Sequence, residues 1–209
     1  MDILEKLFVS PVRVRLLRLF LMNPGVEFTA EEARRRSGVR SAGFLAETKR
    51  LQAFGILRIG STRIAAKQRA RGKKGRRAKG RTVRAKTFSA ATDFPLFTEL
   101  KALVAKSAPG AKVELAERVR RLGSIKLAVL AGVFIESPNS RVDLLLVGDG
   151  MRKARLRAFI QWLEGQVGRE LSYVAMSPQE FRYRLDMYDR FVRDIIESPH
   201  ETLIDKLGV

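Results

Sequence analysis

Residues 29–57 read TAEEARRRSGVRSAGFLAETKRLQAFGIL, and they hold two helix starts, a tight turn and the exit into a strand. Thr29-Ala30-Glu31-Glu32 is a capping box, in which the Thr hydroxyl and the Glu carboxylate each satisfy a free backbone N–H. That helix is short and stops near Ser37-Gly38. A further helix starts at Ser41 and runs through Phe44, Leu45, Thr48 and Leu51 to Phe54, with Gly55 as its C-cap. Ile56-Leu57-Arg58-Ile59 then predicts a strand. Upstream, Val12, Leu16, Leu17, Leu19, Phe20 and Leu21 recur at helical spacing with Arg13, Arg15 and Arg18 between them. This predicts an amphipathic helix that Asn23-Pro24-Gly25 ends. Downstream, Thr82–Phe88 predicts a second strand.

Three helices, the last two joined by a Gly-containing turn, followed by a strand hairpin, describe a winged helix-turn-helix. Leu51-Gln52-Ala53-Phe54-Gly55-Ile56-Leu57 resembles the exit from the recognition helix of bacterial winged-helix regulators, over about residues 5–92. On the third helix the candidate DNA contacts are Arg40, Ser41, Ala42, Glu47, Lys49 and Arg50. Base readout in the major groove favours Arg, Asn and Gln near a helix N-terminus, whereas this helix begins with Ser, Ala and Gly after Arg40. Either specificity is modest, or contacts come from Arg40, Glu47 and the wing. A winged helix used only for protein contacts is the competing reading, and charge is what favours DNA.

The chain carries 41 Lys and Arg against 22 Asp and Glu, a net charge of +19. Residues 1–109 hold +17 of it and residues 110–209 only +2. A basic half joined to a near-neutral half points to a polyanion bound by one part of the molecule. Residues 63–86 are the densest segment: Arg63, Lys67, Arg69, Arg71, Lys73, Lys74, Arg76, Arg77, Lys79, Arg81, Arg84 and Lys86, with no acid. Like charges at this density repel, which predicts a mobile segment in the free protein. A phosphate backbone supplies the missing counter-charge, and counterion release drives association. The expected division is a winged-helix domain over 1–92 with its wing at 63–86, a connecting helix and linker over 93–110, and a second domain over 111–209.

That second part alternates helix and strand. The pattern predicts a helix over Val113–Leu122, a strand or strand-turn unit over Ile125–Ile135, a strand over Val142–Val147 and a helix over Lys153–Val167. A strand at Leu171–Met176 and a helix capped by Ser177 follow, Pro178 standing at its first position and Glu180 closing the box. The stretch from Ala131 to Gly148 resembles the core of minimal nucleotidyltransferase domains, over about residues 112–207 including the tail Tyr188–Asp194. The resemblance implies a mixed sheet with flanking helices, and a site where Gly-Ser cradles a triphosphate and Asp-x-Asp shares Mg²⁺. Here Gly132 is kept, Val133 stands at the Ser position, Arg141 at the first Asp position, and only Asp143 remains. Asp143 is expected to pair with Arg141. This is a nucleotide-site remnant, with no metal, no cofactor and no transfer activity expected.

Cysteine is absent and His200 is the single histidine, which excludes thiolate or multi-His metal sites and a cysteine nucleophile. His200 is expected to cap, and Trp162 to pack. No G-x-x-x-x-G-K-[ST] loop occurs. Met1–Lys6 leads into no signal-peptide core, and the longest apolar run, Leu127–Ile135, is far below the roughly 20 residues that span a bilayer. The expectation is a cytoplasmic transcriptional regulator, its partners duplex DNA and, as further candidates, RNA and a second copy of the chain, with no membrane partner. An active nucleotidyltransferase with a nucleic-acid-binding arm and a general RNA- or nucleoid-binding protein are the alternatives.

Overall fold

A computed structural model describes residues 3–65, 82–107, 112–137 and 139–209. The chain is a mixed assembly of helices and two sheets. Helix α1 (Ile3–Phe8) leads to α2 (Pro11–Leu21), where the Ser10 hydroxyl accepts the Arg13 N–H (3.2 Å) and proline occupies the first turn. A two-residue strand β1 (Phe28–Thr29) feeds α3 (Ala30–Ser37). The capping box forms as expected: the Glu32 N–H donates to the Thr29 hydroxyl and the Thr29 N–H donates to the Glu32 carboxylate. Gly38, at φ +65°, ends α3 in the left-handed conformation. Helix α4 (Ser41–Ala53) follows, then β2 (Leu57–Ala65) and β3 (Thr82–Ala90).

β2 and β3 pair antiparallel from Leu57↔Ala90 out to Ala65↔Thr82, longer than the sequence pattern indicates. β1 joins the other edge of β3, Phe28 opposite Phe88, giving the order β1-β3-β2. Phe20, Phe28, Phe44, Leu51 and Phe88 meet in one core beneath these elements, with Phe44 edge-on to Phe88 at 5.4 Å. Helix α5 (Phe97–Lys106) packs on α2, and its Val104 lies in the same core.

The second sheet has the order β6-β5-β4-β7, built from β4 (Ser124–Leu130), β5 (Leu144–Asp149), β6 (Tyr173–Met176) and β7 (Glu201–Asp205). β5 and β6 run parallel because helix α7 (Lys153–Val167) crosses between them, while β4 is antiparallel to both its neighbours. Alternation along the strands divides the side chains between two layers. Ala128, Leu130, Leu144 and Leu146 pack with α6 (Lys112–Arg120) and α7. Leu127, Val129, Leu145 and Val147 pack with α8 (Pro178–Asp186) and α9 (Arg190–Glu197). Ser177 caps α8, but Glu180 does not close a box there; its carboxylate accepts from Arg184 instead.

α7 also packs against α2 and α3. Arg18, read from the sequence as part of a polar stripe, is buried at this seam, donating to Gln166 Oε1 (3.2 Å) and the Ser107 carbonyl (3.1 Å). Asn23 reaches across to the Gly168 carbonyl (2.6 Å). Among the described residues no helix is long and apolar enough to cross a membrane.

Candidate nucleic-acid interface and the turn after β4

α4 lies on α2 at Gly43, where a Cβ would come within 3.3 Å of Val12. Its buried stripe is narrow: Phe44, Glu47, Thr48 and Leu51. Arg40, Ser41, Ala42, Lys49 and Arg50 are exposed, as the pattern indicates. Glu47 is not. It is 5% exposed, accepting from Arg13 Nε (2.9 Å) and Arg50 Nη1 (2.5 Å). Burial opposes its ionisation, but the hydrogen bonds from Arg13 and Arg50 outweigh burial and hold the carboxyl below its ordinary pKa. Three residues after Phe44 and four before Leu51, Glu47 shares their face of α4, and Arg13 of α2 supplies the partner that lets an acid be buried there. Leu45 and Phe54, apolar residues that the sequence reading includes in the run of this helix, are 57% and 61% exposed: Leu45 points about 100° away from Phe44, and Phe54 lies beyond the last helical residue.

The hairpin is cationic wherever it is described. Arg63 of β2 stands directly opposite Arg84 of β3, and Ser61 opposite Lys86. Arg84 Nε donates to Ser61 Oγ at 3.0 Å. Facing like charges on neighbouring strands disfavour each other, and residues 57–65 and 82–90 carry no acid. Arg58, at the base of the hairpin, is offset by Asp93 at 2.5 Å. Lys67, Arg69, Arg71, Lys73, Lys74, Arg76, Arg77, Lys79 and Arg81 lie outside the described residues.

After β4 the chain enters a 3₁₀ turn (Gly132–Phe134). Asp143 does not pair with Arg141. Its Oδ1 accepts the Val133 N–H (2.9 Å) and its Oδ2 the Ser172 N–H (2.8 Å), tying the turn to the start of β6. Gly132, at φ +52°, is the residue this arrangement requires, because a Cβ there would overlap the Asp143 carboxylate. Arg141 turns to Asp194 of α9, with Nε to Oδ2 at 2.5 Å. Asp194 lies 53 residues from Arg141 in sequence, and no local spacing signals the pair. A cavity of about 650 Å³ opens beside the turn, lined among others by Gly132, Val133, Asp143, Ser172, Lys106 and Arg169. His200 Nδ1 donates to the Ser198 carbonyl (2.9 Å) at the end of α9. Among the described residues no group of three or more His, Asp or Glu stands together in a metal-ligating cluster.

No known protein family, curated protein or solved structure was found to match the chain.

Proposed function

We propose that this chain is a DNA-binding transcriptional regulator. In this reading residues 1–92 are a winged helix-turn-helix, with α4 in the major groove and the β2–β3 hairpin as a wing on the phosphates. The observation that carries it is the charge of that hairpin. Arg63 and Arg84 face each other across the strands, and the sequence between them adds nine Lys and Arg with no acid. Arg40, Lys49 and Arg50 extend the cationic surface along α4.

Residues 111–209 are read as a nucleotidyltransferase-like domain that has lost its chemistry and serves sensing or dimerisation. Support comes from Asp143, whose two carboxylate oxygens each accept a backbone N–H and so tie the turn to β6, and from Arg141, a cation engaged with Asp194. Transfer of label from a nucleoside triphosphate, abolished by Asp143→Asn, would overturn this part.

A general RNA- or nucleoid-binding role is the second reading. It is favoured by the exposed positions Ser41, Ala42 and Leu45, which offer α4 little means of reading bases. The test replaces residues 66–81 with a short Gly-containing turn and follows affinity for a native promoter, random duplex and RNA across a salt series. Phosphate contacts position a protein without reading bases. Affinity should therefore fall alike for all duplexes, and the salt slope should flatten by roughly 0.9 for every phosphate the wing no longer neutralises. An unchanged slope removes the wing from DNA; equal affinity for promoter, random duplex and RNA promotes the second reading.

A further inference from the structure

The exposed side of α7 borders two adjoining cavities of about 440 and 260 Å³, which share Ala158 and Trp162. Five arginines line them: Arg15 of α2, Arg35 of α3, Arg118 of α6, Arg121 just beyond α6, and Arg155 of α7. Among the described residues lining them there is no Asp or Glu. From outside the lining, Glu114 offsets Arg118 at 2.9 Å, and Glu32 stands close enough to Arg35 to feel its charge. Arg15 has its Nε buried without a hydrogen-bond partner. Both halves of the chain therefore contribute guanidinium groups to one groove, and cations outnumber the acids near it.

An aromatic ring lies where the two cavities meet. Trp162 is covered by the Arg118 guanidinium at 4.1 Å and flanked by Phe159 at 5.9 Å. The Arg118 guanidinium on that ring adds a cation at the centre of the groove. Lining residues on α7 run from Arg155 to Gln166, about 16 Å at 1.5 Å per residue. That length is too great for one phosphate group and suits a run of phosphates along a strand, about 3.4 Å apart on the helix axis.

We propose that this groove is a second phosphate-backbone site, holding duplex DNA beyond the stretch engaged by α4 and the wing. The inference rests on the DNA-binding reading above. It gives the near-neutral second half a direct part in binding, and it adds affinity without sequence preference because arginines on phosphates read no bases.

The test uses the full chain carrying Arg35→Ala, Arg121→Ala and Arg155→Ala together. All three side chains are exposed, so the fold should be kept. Affinity is measured across a salt series for a duplex of about 15 base pairs and for one extended by about ten base pairs, one helical turn, on each side. The control removes equal charge elsewhere through Arg182→Ala, Arg190→Ala and Lys206→Ala. Expected is a salt slope flattened by up to about 2.7 on the long duplex, 0.9 for each of three phosphates released, with little change on the short duplex or in the control. Wild-type binding that depends on the wing but is unmoved by the groove substitutions overturns the second site and leaves the DNA-binding reading intact. Binding that depends on the groove but not on the wing or α4 keeps the site and overturns that reading. Relief by millimolar nucleoside triphosphate without any effect of duplex length assigns the groove to a small phosphorylated ligand and overturns its role with duplex. No binding to either duplex overturns both.

Discussion

At the scale of single residues, Asp143 and Glu47 show how the same side chain reads differently once its neighbours are known. Asp143 holds two backbone N–H groups, so Asp143→Asn replaces one acceptor with a donor and leaves one N–H facing it. The loss should be about 1–3 kcal/mol, read as a lowered denaturant midpoint; an unchanged midpoint would mean those hydrogen bonds contribute nothing to the turn. Glu47 predicts a pH dependence. Its folded-state pKa lies below its unfolded value, so its stabilisation is fully present above the ordinary carboxylate range and is lost as pH falls through the lowered folded value. Glu47→Gln should be less stable than wild type at neutrality, and the gap should close on acidification. A gap constant with pH would show that the charge of Glu47 is not what holds Arg13 and Arg50.

At the scale of elements, the helix starts are the parts most firmly written into the chain. The capping box at Thr29 satisfies donors that the first turn of α3 leaves free. Thr29→Ala should cost about 1 kcal/mol, measured by thermal or urea melts, and a loss within error would show that the box is redundant with the packing of α3 on α7. Where an element has neither cap nor long apolar period, the sequence says little. α1, β1 and β7 escape the pattern for this reason. β1 has two residues and β7 five, too few for alternation to stand out, and both exist because a neighbouring strand offers an open edge. β2 and β3 likewise extend beyond their apolar runs because each supplies the other's hydrogen bonds.

At the scale of the molecule, the seam between α2 and α7 joins the two cores. Gly168 sits at φ +85° with its Cα against the Arg18 backbone, where a Cβ would overlap the Arg18 carbonyl group. Gly168→Ala therefore combines left-handed strain with a clash and should cost about 2–5 kcal/mol. Calorimetry should resolve one transition in the wild type and two in the variant, as the halves cease to unfold together. A single transition at the wild-type temperature would sink this account of the seam.

What the sequence alone determined is local. The caps at Thr29 and Ser177, the left-handed glycine at 38 and the 3.6-residue period of α2, α4 and α7 follow from interactions among residues a few positions apart. The charge imbalance between the halves is likewise a property of composition. Tertiary structure decided the rest. Arg13 gave Glu47 a partner on the buried face of α4, Arg18 was buried where Gln166 and the Ser107 carbonyl could receive it, and Arg141 found Asp194 rather than Asp143. A polar side chain's partner is set by which elements pack together, and helical or strand periodicity specifies only the face from which it starts.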